Sequence, residues 1–175
     1  MSDSTYTYCP ICAAHLVEKC IVSTLRPTCP ACGFILFLDP KLVAVVVVRH
    51  KGKFLLGRRT IDPGKGMWSF FGGYVDRGEK VEDAALREVK EETNLDVQLE
   101  GLIGIYSEQG EPHVLVVYQA SVIESEANSL MAQSDEVGEF AFFTWEELPA
   151  FAFPVDRHIL NDWRKALRSQ QGTLP

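Results

Sequence analysis

The sequence predicts an α/β domain behind a small β-rich ribbon, and three stretches carry that expectation. Leu42 to Val48 is an unbroken apolar run rich in valine, the pattern of a strand buried on both faces. Lys80 to Thr93 has helical periodicity and no internal glycine or proline. Cys9-Pro10-Ile11-Cys12 and Cys29-Pro30-Ala31-Cys32 are paired Cys-x2-Cys knuckles, suited to a compact metal-held ribbon.

Composition bounds the reading. A chain of 175 residues holds about one domain plus a small appendage, and 46% hydrophobic residues supply a real core. The net charge of −7 and pI near 5.1 weigh against a nucleic-acid partner, which calls for a basic surface. They still permit a phosphorylated small substrate, because a metal supplies local positive charge. No apolar run approaches the ~20 residues of a membrane span. The first ten residues lack the basic region and apolar core of a secretory signal, so a cytoplasmic protein is expected.

In chain order, residues 1–8 read as a flexible lead. The knuckles that follow read as a structural zinc site, Cys9, Cys12, Cys29 and Cys32 aiming four thiolates at one point. Two disulfides or a redox Cys-x2-Cys are the alternatives. A cytosolic setting disfavours the first, and one four-thiolate site is simpler than a duplicated redox motif. Cys20 is a spectator, and His15 is not needed as a ligand. Phe34 to Leu38 reads as the ribbon's last strand, broken by Asp39-Pro40. This assigns 1–38 to the ribbon and 39–175 to the α/β domain.

Within that domain Leu42 to Val48 is the first strand and His50 to Lys53 its turn. Phe54 to Gly57 returns, ending in Arg58 and Arg59, two candidate phosphate contacts. Met67 to Phe71 leads through Trp68 and Phe70 to Gly72-Gly73, read as a tight bend. Val97 to Ser107 and Val114 to Ile123 are strands, 124 to 137 is an acidic mobile loop, and Phe140 to Phe143 is the last strand. Trp145 to Leu148 reads as a short helix capped by Thr144. Asp156 to Ser169 reads as a closing helix with Ile159, Leu160, Trp163 and Leu167 inward, and Gln170 to Pro175 as a frayed end.

The helix from Lys80 carries the chemistry. At about 100° per residue Val81, Ala84, Ala85 and Val89 share one face. Glu88 and Glu92 fall inside that apolar stripe and Glu91 at its edge. Buried unpaired carboxylates are costly; oxygen ligands at i, i+3 and i+4 that converge on Mg²⁺ relieve the cost. Arg87 and Glu91 form an i, i+4 pair. Asn94 stands where a helix ends in a left-handed residue.

These residues resemble the Nudix hydrolase family, whose box is Gly, five residues, Glu, seven residues, Arg-Glu, an apolar residue, any residue, Glu-Glu, any residue, Gly, an apolar residue. Here the box runs Gly73, Glu79, Arg87-Glu88, Val89, Glu91-Glu92, Asn94, Leu95, and only Asn94 departs from it. Phe71 also stands where the family usually has proline. The resemblance covers roughly residues 40 to 170 and implies a mixed sheet sandwiched between helices. It implies hydrolysis of a nucleoside diphosphate linked to another group, with Mg²⁺ or Mn²⁺ held by Glu88, Glu91, Glu92 and the Gly73 carbonyl. Glu79 pairs with Arg87 in a supporting task. The general base is left between Glu88 and a later glutamate, Glu136 or Glu139.

The ribbon followed by the box is similar to two branches, the NADH pyrophosphatases and a group that includes FAD and ADP-ribose pyrophosphatases. The chain lacks the Ser-Gln-Pro-Trp-Pro-Phe-Pro segment of the first, which favours ADP-ribose, FAD or a related dinucleotide. Trp68, Phe70, Phe71 and Tyr74 are the aromatics available to stack on a base. The alternatives are NADH or NAD-capped ends as substrate, or a catalytically silent binding module. The expected partner is a nucleotide, and a homodimer stays open.

Overall fold

A computed structural model of the chain describes residues 6–123 and 136–171. The chain divides into two compact units, Met1–Pro40 and Lys41–Pro175. The expected flexible lead and the acidic loop fall largely on residues 1–5 and 124–135, outside the described residues, as do the last four residues of the expected frayed end.

In the first unit, β1 (Val17–Ile21) and β2 (Thr24–Thr28) form an antiparallel hairpin. Its turn puts Val22 at φ 46° and Ser23 at φ 65°, two successive left-handed residues that match the twist of the strands. The interior is small: Cys9, Leu16 and Cys29, with Ala14, Phe34 and Leu36 against them. Phe34 to Leu38 is not a strand. It meets β2 through one bridge, Thr28 to Ile35, and through the Leu36 N–H on the Pro27 carbonyl at 2.9 Å. Pro27 has no N–H to return, so the ladder stops there.

Among the described residues the second unit is a seven-stranded mixed sheet between two helices. β3 (Lys41–His50) is central. It runs parallel to β8 (His113–Val122) along Lys41 to Arg49. It pairs antiparallel with β6 (Phe71–Tyr74) near its start and with β4 (Lys53–Arg59) at its end. β5 (Trp68–Ser69) and β9 (Val137–Phe143) extend the sheet on β4, and β7 (Val97–Ser107) forms the other edge on β8.

The valine run of β3 is buried on both faces for a simple reason. Ala44, Val46 and Val48 pack toward α1 (Val81–Thr93) with Ala84, Ala85 and Val89. Val45 and Val47 pack on the opposite face toward α2 (Pro154–Gln171) with Ile159, Leu160 and Trp163. Each face of one strand thus feeds a separate core. A single full burial of a valine side chain contributes about 1.5–3 kcal/mol, so this strand anchors the domain.

Further expectations need correction. Gly72 and Gly73 are not a bend: both lie within β6, paired with Val45 and Ala44. Trp145 to Leu148 is a turn, not a helix. Thr144 Oγ1 donates to Glu147 Oε2 at 2.9 Å, the Glu147 N–H reaches the Thr144 carbonyl at 3.2 Å, and Pro149 forbids continuation. The last helix starts at Pro154, two residues before the expected Asp156, because proline is pre-set for the first helical position. Asn94 does close α1 at φ 62°, its N–H on the Lys90 carbonyl. The strand expected from Phe140 starts earlier, at Val137.

Candidate active site

α1 projects Glu88, Glu91 and Glu92 toward β6, and a cleft of about 870 Å³ opens beside them. Its walls include Gly72, Gly73, Tyr74, Arg59, Phe70 and Phe71. Glycine at 73 is required by proximity: a Cβ there would collide with the Glu88 carboxylate. The strand carrying the glycine and the helix carrying the acid are fitted to each other, so substitution at either disturbs both.

Arg87 organises the acidic end. Its Nε and Nη2 donate to the two Glu79 oxygens at 2.8 and 2.9 Å. Nη1 donates to Glu88 Oε1 at 2.6 Å and to Glu91 Oε2 at 3.2 Å, and Nη2 also reaches the Tyr74 carbonyl at 3.1 Å. Glu79 in turn accepts the Asp76 N–H at 2.9 Å. The guanidinium first, and that N–H second, hold the Glu79 carboxyl down to about 2. Arg87 is correspondingly raised, its proton locked by Glu79 and Glu88.

The other acids feel the opposite pressure. Burial pushes Glu88 up against the pull of Arg87. Burial, then the Glu88 charge, pushes Glu92 up to about 8, although the Gly72 N–H and Arg59 oppose it. Glu92 Oε2 is buried with no hydrogen-bond partner among the described residues. Glu91 is more open, with 58% of its side chain exposed, in keeping with its position at the stripe's edge. An orphaned carboxylate oxygen among further carboxylates is a hard-oxygen donor set that fits Mg²⁺ or Mn²⁺. The acids are not fully gathered, however. Among the described residues the four cysteines are the one group of three or more ligand side chains whose donors all lie within 4.8 Å. Arg87 still draws Glu88 and Glu91 to itself.

The expected contacts divide between cleft and surroundings. Arg59, Phe70, Phe71, Tyr74 and Glu136 line the cleft. Arg59 is fixed by its Nε–H on the Pro63 carbonyl at 2.7 Å and lies over the Phe153 ring. Phe71 is 1% exposed and packs on Phe140, so it is chiefly core. Arg58 and Glu139 pair with each other at 3.2 Å and do not line the cleft. Trp68 packs edge-on against Phe143 in the core on the α2 side. Asp156, Tyr106 and His113 also line the cleft and had no signal in the sequence, because only the folded sheet brings α2, β7 and β8 to β6.

In the ribbon the Cys9 and Cys32 sulfurs are 3.6 Å apart and those of Cys12 and Cys29 are 3.4 Å apart, well beyond the ~2.05 Å of a disulfide. All are free thiols. The Cys32 backbone N–H, opposed by burial, lowers Cys29 to about 6, while Cys12 and Cys32 are raised, against the backbone N–H groups of Ala14 and Phe34, by their contacts with Cys29. Cys20 stands exposed and outside the cluster. Among the described residues no helix is long and apolar enough to cross a membrane.

The chain is similar to several known proteins. The family model described as NUDIX domain matches residues 39–163. An ADP-ribose pyrophosphatase of Methanocaldococcus jannaschii is 34% identical over 134 residues, 74% of this chain and 76% of that protein. A NAD-capped RNA hydrolase NudC of Chromobacterium violaceum is 28% identical over 86% of this chain, which spans 55% of it. A crystal structure of a NUDIX hydrolase from Nitrosomonas europaea superposes with a TM-score of 0.81 at 25% identity, covering 89% of this chain and 88% of that one.

Proposed function

The chain belongs to the NUDIX hydrolase family, and from that premise we propose that it uses a divalent cation to hydrolyse the pyrophosphate bond of a nucleoside diphosphate linked to another group. ADP-ribose is the first candidate, followed by FAD or a related dinucleotide. The observation that carries this reading is Glu92 Oε2, buried, unpartnered and facing further acids in a nucleotide-sized cleft. A silent binding module has no use for that costly oxygen.

Glu88, Glu91 and Glu92, with the Gly73 carbonyl, hold Mg²⁺ or Mn²⁺. Bound there, the cation neutralises phosphate oxygens and makes water a stronger nucleophile. Arg87 aims Glu88 and Glu91, and Glu79 fixes Arg87. Arg59 offers the diphosphate a cation at the cleft wall. Of the candidate bases, Glu136 lines the cleft with its carboxylate free of Arg87, whereas Glu88 is engaged and Glu139 is paired with Arg58. Glu136 is therefore assigned to take the proton from the attacking water. The four ribbon cysteines bind one structural zinc within a domain spanning 1–38, on the strength of their shared 4.8 Å cluster.

A second reading, an NADH or NAD-cap pyrophosphatase, draws support from the NudC relatives. One assay separates the readings. The protein is incubated with Mg²⁺ and ADP-ribose, FAD, NADH, diadenosine polyphosphates or nucleoside triphosphates, and the products are weighed by mass spectrometry. Mg²⁺-dependent AMP and ribose 5-phosphate from ADP-ribose are expected; preferential NADH cleavage favours the second reading, and no metal-dependent product from any substrate contradicts both.

A further inference from the structure

Asp156 has no part in the scheme above, yet it is among the most deeply buried acids of the domain. It is the third residue of α2, 3% exposed, and lines the same cleft as the box glutamates. Its carboxyl takes the Phe153 backbone N–H, the bond expected of an acid that reaches back to cap its own helix. One of its oxygens, Oδ2, is buried with no hydrogen-bond partner among the described residues. Burial outweighs the Phe153 N–H and Arg59 and raises the group to about 7. Capping alone does not explain such an acid, because the exposed first turn of a helix serves that purpose without the cost of an orphaned buried oxygen.

The surroundings say what would relieve it. Asp156 shares the cleft wall with the apolar Phe70, Leu115, Phe153, Pro154 and Val155, of which Phe70, Leu115 and Val155 belong to the core on the α2 side. Arg59 acts electrostatically on both Glu92 and Asp156 and so links the two. If the box acids take the diphosphate, as proposed above, the apolar wall is left for the flat, largely apolar group joined to it. A polar atom at the base of an apolar slot fixes orientation and identity, and a carboxylate oxygen accepts from N–H donors on the edge of a purine.

We propose that Asp156 is the specificity-determining residue for the nucleobase: Oδ2 accepts a hydrogen bond from the exocyclic amine of an amino-bearing purine held in this slot. The assignment rests on the cleft being a nucleoside diphosphate site. It separates adenine or guanine from unsubstituted purine, which carries neither amine and no ring N–H once joined to ribose. A site built around a hydrogen bond rejects an analogue that leaves its buried polar group unpaired more strongly than an apolar pocket rejects a change of size.

The test is equilibrium binding of ADP, GDP and purine riboside 5′-diphosphate to the full chain with Mg²⁺, repeated with Asp156→Ala and Asp156→Ser. The adenine and guanine arms identify which amine is read. Wild type is expected to bind ADP or GDP at least about tenfold tighter than purine riboside 5′-diphosphate, and both variants to bring the ratio within about threefold. Asp156→Ser is the second variant in case Asp156→Ala fails to fold. Equal binding of the three nucleotides by wild type, no binding of any, or a preference that survives in a folded variant overturns the proposal. A base preference without hydrolysis refutes only the reaction; hydrolysis without a base preference refutes only the role of Asp156.

Discussion

In the ribbon, four sulfur donors lie within 4.8 Å of one another on turns with little core beneath them. In the cleft, three carboxylates ride on a helix backed by a large core, and Arg87 and the Gly72 N–H hold them apart. The difference is one of purpose. A ligand set that replaces a core must converge wherever the fold exists, since metal affinity is then folding free energy. A ligand set that serves turnover must accept and release a cation together with its substrate, so it rests on protein partners between cycles. On the proposed reading, convergence marks the structural site and an unpartnered buried oxygen marks the chemical one.

The comparison breaks first at Glu92. Glu92→Gln is expected to lower turnover of the best substrate at least ~10²-fold, the scale of losing a metal or acid–base contribution. Steady-state rates measure it; near-wild-type turnover would make these glutamates ordinary charges. In the ribbon, wild type should carry about one zinc per chain. Cys29→Ser should lose that zinc and the slow hydrogen exchange of the β1–β2 hairpin, while ADP-ribose turnover per folded molecule falls far less than in Glu92→Gln. Metal analysis, exchange and thiol-reactivity measurements check this; no zinc, with freely reactive wild-type thiols, would remove the claim.

A smaller effect sharpens the cleft's half. The folded state holds the Asp156 proton to about pH 7, whereas an unfolded aspartate releases it near ~3.9. Between those values the folded state binds more protons, so this group's contribution falls as pH rises and is level above about 7. Glu79, held near 2, acts oppositely: its contribution is present above the ordinary glutamate value and is lost as pH falls toward 2. The melting temperature of wild type minus that of Asp156→Asn, measured without Mg²⁺, should therefore decline from pH 4 to about 7 and then level off; a flat difference contradicts it. The smallest effect concerns the helix end that carries the acids. With φ at 62°, Asn94→Gly should change stability by no more than about 0.5 kcal/mol, and Asn94→Val should cost about 1–2 kcal/mol. Denaturant titration measures both, and equal tolerance of Val would mean that position 94 does not need its left-handed form.

Much of this was legible in the sequence where one element decides the outcome. The valine run of β3, the periodicity of α1 and the Asn94 stop are local patterns with local causes. The Glu79–Arg87 pair followed from the resemblance of the box. What escaped depends on partners from elsewhere in the chain. Gly72-Gly73 reads as a bend, but β3 draws it into a strand and Glu88 excludes any side chain at 73. The strand expected at Phe34 fails because Pro27, on its neighbour, lacks a donor. Thr144 resembles a helix cap until its hydroxyl is seen bonded to Glu147. Arg58 and Arg59 are equivalent as letters, yet alternation along β4 turns one to Glu139 and the other into the cleft. Asp156 reads as an ordinary first-turn acid, and its burial comes from the way α2 closes over the sheet.

The central claim is that the orphaned carboxylate of Glu92 is kept for a cation. Thermal unfolding of wild type and Glu92→Gln, zinc retained, with and without Mg²⁺ plus nucleotide, tests it most directly. Without Mg²⁺ the variant should melt at or slightly above wild type, since it buries one fewer acid. With Mg²⁺ and nucleotide at about 100 times the dissociation constant, wild type should gain roughly 2.7 kcal/mol, and the variant clearly less. A variant that melts below wild type without Mg²⁺, or that gains as much as wild type with it, would contradict the account.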